Sequence, residues 1–199
     1  MLQTTIIVMS QATTILDFWF GHPNDPNYGK IQPFWFDKQP DFDTKVRNLF
    51  LEDYQKAVAG YLHDWRNSPE TCLALILLLD QFPRNMFRDT PQAFATDWEA
   101  LSLAQQAINK GYDRQLLAVQ RWFIYLPFQH SENPVDQRKC IKLFQQLSHE
   151  PSSAEAIASA FRHKEIISRF GRFPHRNAIL GRISTPEEEE FLEEPGSSF

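Results

Sequence analysis

A chain of 199 residues in which 42% are hydrophobic, 17 are Phe and five are Trp carries enough apolar mass for one packed domain, which excludes intrinsic disorder. A formal net charge of -5 and a pI near 5.7 argue against a surface that tracks nucleic-acid phosphates. The longest apolar run, Cys72 to Leu79, is far too short to cross a bilayer, and the first residues, MLQTTIIVMSQATT, hold no basic side chain, so a soluble protein with neither membrane span nor leader is expected.

In chain order, a first helix is expected over residues 14–20, stopped by Gly21, followed by a Pro- and Asn-rich loop as far as Pro40. A second, over 42–59, carries Phe42, Val46, Leu49, Phe50, Tyr54 and Val58 on one face. Four later starts share one form, a capping residue and then proline: Ser68-Pro69, Thr90-Pro91, Asn133-Pro134 and Thr185-Pro186. The third helix, 69–82, is apolar on nearly every side and is therefore expected at the centre. The fourth, 91–110, shows Phe94, Trp98, Leu101 and Ile108 as its buried stripe. A fifth is capped by Asp113 and expected to end at Pro127, which lacks a donor. The remaining helices are expected over 134–148, 154–170 and 186–194, with 1–12 and 195–199 frayed.

No stretch alternates with period two, so the class is all-α, about eight helices in a single domain spanning 1–199. Starts at 69, 91, 113, 134 and 154 give two-helix units of 44 and 41 residues, the length of stacked antiparallel helical hairpins. Cys72 and Cys140 each lie in an apolar helical pattern and read as buried reduced thiols, which favours the cytoplasm.

Polar chemistry gathers in three places. Between Arg162 and Arg182 lie five arginines, one lysine and two histidines. On the seventh helix Arg162, Glu165 and Arg169 form a polar stripe, whereas His163 falls on the apolar face and is expected to be a hydrogen-bonded core histidine. The following loop presents Arg172, His175, Arg176 and Asn177, a set suited to a carboxylate or phosphate. The alternative is a clamp, in which Asp80, Glu132, Glu165 or residues 187–190 neutralise these arginines. A second cluster, Gln129, His130 and Glu132, could supply an acid and a base. The third is Asp80, Arg84 and Asn85; an ionised Asp80 at the end of so apolar a helix needs a partner, with Arg84, Arg121 and the 172–182 loop as candidates. Nucleic acid is excluded by the six acidic residues between Glu187 and Glu194, and the histidines lack zinc-site spacing, so neither metal nor cofactor is expected.

The motifs ILDFWFG (15–21), LALILLLDQFPRN (73–85), AFATD (93–97), YLPFQHSE (125–132), RFGRFPHRNAILGR (169–182) and STPEE (184–188) together resemble a bacterial family known only as domain of unknown function 924. The resemblance covers nearly the whole chain, is weakest at 31–41, and implies an all-α fold similar to tetratricopeptide-type hairpins. It implies no activity and hence no catalytic role. Two functions follow from the residues. One is an Arg/His/Glu-lined pocket that binds or processes a small anionic molecule, with Arg172, Arg176, Asn177, Arg84, Asn85, Asp80 and Gln129 as binding residues and His130, Glu132 or His175 as proton carriers. The other is a hairpin module whose groove takes a peptide or protein, its arginines purely structural.

Overall fold

The computed structural model describes residues 2–198; Met1 and Phe199, part of the expected frayed ends, lie outside them. Among the described residues there are eight α-helices and no strand: α1 (Leu2–Phe20), α2 (Pro40–Val58), α3 (Pro69–Met86), α4 (Asp97–Asn109), α5 (Ala118–His130), α6 (Pro134–Gln145), α7 (Ala154–Phe170) and α8 (Pro186–Leu192). No helix among these residues is long and apolar enough to cross a membrane.

From α2 to α7 each helix packs on the next, and α3 also packs on α1 and α5, and α5 on α7. Contact with the next helix and the next but one is what stacked hairpins produce. The central position belongs to α3. Only Pro69, Glu70 and Arg84 of its 18 residues escape full burial, and each buried Leu or Ile contributes about 1.5–3 kcal/mol. The main core extends from Ala12 to Ala160, while Ile166, Ile167, Phe173 and Phe191 form a smaller separate cluster beneath α8.

Neither the third nor the fifth helix stops where expected, at residue 82 and at Pro127. Pro83 lies inside α3, and the Leu79 carbonyl that its missing N–H leaves open accepts a hydrogen bond from Thr96 Oγ1 at 2.6 Å. Pro127 lies inside α5, which continues to His130, so Gln129 and His130 belong to its last turn rather than to the connection. Residues 122–129 are all buried, and that packing outweighs one lost backbone bond. Gln137 of α6, itself wholly buried, donates to the carbonyls of Gln129 and Ser131 at 2.7 Å each and closes the C-terminus of α5.

Thr90-Pro91 opens only a 3-10 turn, Pro91–Phe94, and α4 begins at Asp97. The buried face of α4 is Leu103 with three alanines, Ala100, Ala104 and Ala107, whose small size allows close approach, and it leaves Trp98 69% exposed. Leu49 and Val58, expected inside, are likewise exposed. In α7, which spans the expected residues, Gly171 makes the left-handed stop at φ +71.

Candidate functional site

Asp80, at the buried end of α3, is 0% exposed. Its Oδ1 lies 2.7 Å from His130 Nδ1 and 3.5 Å from Arg84 Nη1, and its Oδ2 accepts from Gln81 Nε2 at 2.6 Å. Arg84, one turn further along α3, also grips Asp97 at the start of α4 with two parallel bonds of 2.9 and 3.0 Å. Asp97 Oδ2 in turn lies 3.4 Å from Arg176 Nη1. One polar chain therefore runs His130, Asp80, Arg84, Asp97, Arg176, drawn from α3, α4, α5 and the loop after α7. Arg121 is not part of it; both its bonds go to the Tyr125 hydroxyl.

The loop after α7 is built around Phe173. Its N–H donates to Glu132 Oε1 at 2.8 Å and its carbonyl accepts from Arg182 at 3.0 Å. Arg182 also holds Glu132 through bonds of 2.7 and 3.0 Å. The His163 and His175 rings lie 5.5 and 5.7 Å from the Phe173 ring. Arg176 is stacked between Phe94 and Phe173, 4.7 Å from each ring centre, and is 6% exposed.

The remaining arginines of the region are neutralised. Arg172 meets Glu188 through bonds of 2.6 and 2.7 Å and donates to the Ile183 carbonyl. Arg169 meets Glu187, and Arg162 meets Glu155. Asn177 is wholly buried and donates to Ser184 and Glu188. Asn85 and Arg88 both donate to Asp43, and Gln129 donates to Ser159 within the α5–α7 contact. His163 is the core histidine expected, its Nδ1 2.9 Å from the Ser159 carbonyl.

These surroundings set the charge states. Burial alone would raise the Asp80 carboxyl, but His130, Arg84 and Gln81 outweigh it and hold it below the carboxylate range. Burial and the neighbouring Arg84 lower the His130 imidazole, and Asp80, pulling the other way, does not reverse this. Arg176 is brought down to about 10, by burial first and then by Arg84. His175 falls to about 3, by burial and then Arg176. Burial pushes Glu132 up, yet Arg182 and the Phe173 N–H carry it below its ordinary value.

The structure thus places Asp80, Arg84, His130, Glu132, His175 and Arg176 in one region, and turns Arg172, Asn177 and Asn85 inward to carboxylates. Sequence reasoning missed Asp97, which bridges the two central arginines, and the role of Phe94, whose ring meets both, Arg176 at 4.7 Å and Arg84 at 5.7 Å. Both lie in the AFATD stretch (93–97), where a carboxylate and a ring at a helix entry were the available signal. Two shallow clefts open elsewhere, of about 210 Å3 beside Arg162, Arg169, Phe170 and Phe191, and about 430 Å3 beside Arg169, Arg172 and Glu188. Among the described residues no three His, Cys, Asp or Glu side chains are grouped to hold a metal ion.

The comparisons with known proteins bear on the same residues. No curated protein matches the chain. The structure of a protein of unknown function, ATU0120 from Agrobacterium tumefaciens, is 40% identical, with a TM-score of 0.84 over 94% of this chain and 99% of that one. A family model described as bacterial protein of unknown function (DUF924) matches residues 15–196, a span that holds Asp80, Asp97, His130 and Arg176 alike, and the chain therefore belongs to the DUF924 family.

Proposed function

We propose that the protein binds a small anionic molecule, a carboxylate or a phosphate, at Arg176. One observation carries this reading: the guanidinium is buried between two rings, yet among the described residues it has a single ion pair, the 3.4 Å contact to Asp97, whose carboxylate already serves Arg84. Its buried Nε has no hydrogen-bond partner among the described residues. A buried cation with incomplete pairing is costly, and an added anion would relieve that cost. Arg84, which shares Asp97 with it, and His130, Glu132 and Arg182 of the same region have side chains 13–29% exposed and face solvent in part. The binding set narrows accordingly from the whole 172–177 loop to Arg176, with Arg84 behind it.

The test is thermal unfolding in phosphate or succinate against sodium chloride of matched ionic strength. A site of this kind raises Tm by on the order of 5–10 °C at a hundredfold excess over Kd. Arg176→Met should fold, because its rings can pack on the thioether, and should lose that increment. An increment of equal size in the variant, or none in the parent protein, overturns the reading.

A further inference from the structure

We infer that His130 and Asp80 form a general-base dyad, His130 Nε2 being the atom that takes a proton from water attacking an ester whose free carboxylate or phosphate sits on Arg176. This rests on the anion site proposed above and adds a reaction to it. The nitrogen that touches Asp80 is Nδ1, at 2.7 Å, and a carboxylate oxygen only accepts. Nδ1 therefore carries the hydrogen and Nε2 the lone pair.

Both members of the pair are held. Gln81 fixes the second oxygen of Asp80 at 2.6 Å, and Gln137 locks the turn that carries His130 through the flanking carbonyls of Gln129 and Ser131. Besides His130, the Asp80 carboxylate meets Gln81 at 2.6 Å and Arg84 at 3.5 Å. The imidazole adds a basic nitrogen on a side chain 13% open to solvent, where Asp80 itself is 0% exposed. A base oriented by a buried carboxylate is the arrangement that general-base catalysis needs.

The nearby hydroxyls are committed elsewhere. Thr96 Oγ1 donates to the Leu79 carbonyl, and Ser131 Oγ to Asp136 at 2.8 Å. Water is then the nucleophile. Its oxygen bonds to the ester carbonyl carbon as Nε2 accepts its proton, and the carbonyl electrons move to oxygen. When the tetrahedral adduct collapses, the C–O bond to the alcohol breaks and the imidazolium returns that proton to the departing alkoxide. Acid and alcohol leave, and the dyad is restored. Asp80 touches no reacting atom; it is the positioning residue that fixes the tautomer.

The experiment uses mono-4-nitrophenyl succinate as the anionic ester, with 4-nitrophenyl acetate as the neutral comparator. The full-length protein should hydrolyse the first above the buffer rate and prefer it to the second. His130→Gln should lower kcat by about 10²–10⁴-fold while succinate still raises Tm, whereas Arg176→Met should raise KM. Nitrogen-15 NMR of the unmodified protein near pH 7 gives a readout that needs no variant to fold: Nδ1 protonated and Nε2 bare at His130. The opposite tautomer, a wild-type rate equal to buffer, or a His130→Gln rate equal to wild type overturns the dyad. Protection by succinate without hydrolysis overturns the dyad and leaves the anion site standing; loss of both removes the site on which it rests.

Discussion

Glu188 shows how much one side chain does here. It is 2% exposed, accepts two bonds from Arg172, one from Asn177 and one from the Thr185 N–H, and closes the capping box that starts α8. The Arg172 hydrogen bond is the largest of the effects that hold its carboxyl at about 2, against an ordinary 4.5. Glu188→Gln removes the charge and should cost about 2–3 kcal/mol in urea unfolding at pH 7, because Arg172 loses its anion. The folded-state pKa lies below the unfolded one, so this stabilisation is fully present above pH 4.5 and fades as pH falls towards 2. The gap between wild type and variant should therefore shrink across that window; a gap independent of pH would show that the charge contributes nothing. The sequence made residues 187–190 candidates to pair with the arginine loop but could not choose among them, because the choice depends on how α8 is rotated against that loop. One signal was available: Thr185 followed three residues later by glutamate marks the glutamate that turns back to the helix start. His163 was legible for the opposite reason, since its place on an apolar helical face settles its burial without reference to any other element.

At the scale of elements, α3 and α5 show a local rule overridden by packing. A proline in a helix interior costs about 3 kcal/mol when nothing compensates. In α3 the compensation comes from the next element, through the 2.6 Å bond from Thr96 to Leu79. Thr96→Val keeps the shape and removes the donor, leaving a buried carbonyl unsatisfied, and should cost about 1–3 kcal/mol. In a Pro83→Ala background the helix recovers its own N–H, so the same substitution should cost less, and a double-mutant cycle should give a coupling of roughly 1 kcal/mol. Additive costs would mean that Thr96 does not stand in for the missing donor. Helix starts were readable because caps and prolines act within a few residues, as Ser68, Asn133 and Thr185 do. Pro83 and Pro127 were misread because the groups that offset them, Thr96 and the buried surroundings of α5, lie in other parts of the chain. The same distance hid the candidate site. Asp80, His130 and Arg176 were each legible as out of place, but their linkage through Asp97 exists only after four elements meet.

For the whole molecule, the expected spacing of helix starts pointed to stacked hairpins although two of the five starts, 91 and 113, open only 3-10 turns and α4 and α5 begin at Asp97 and Ala118, and the uniform apolarity of α3 implied its central place. What spacing could not reveal is that the apolar material divides in two. The main cluster ends at Ala160, and the segment after α7 rests on Ile166, Ile167, Phe173 and Phe191 with Phe170 beside them. That segment is tied to the rest largely through charge: Arg182 and the Phe173 N–H on Glu132, and Arg176 on Asp97. A small apolar cluster and partly exposed ion pairs give less local stability than the fully buried α3, so residues 173–192 should open by themselves, ahead of global unfolding. Amide hydrogen exchange tests this through Leu77→Ala, which sits in α3 and should weaken global stability by about 2–5 kcal/mol. Amides of α3 should then exchange at least about thirtyfold faster, while those of 173–192 keep their wild-type rates, because α3 stays folded in the partly open form. Glu132→Gln should instead speed both groups, since its contacts are lost in either opening. If Leu77→Ala accelerates both regions in step, the chain unfolds as one unit, and the loop that carries Arg176 is as firmly fixed as the core beneath it.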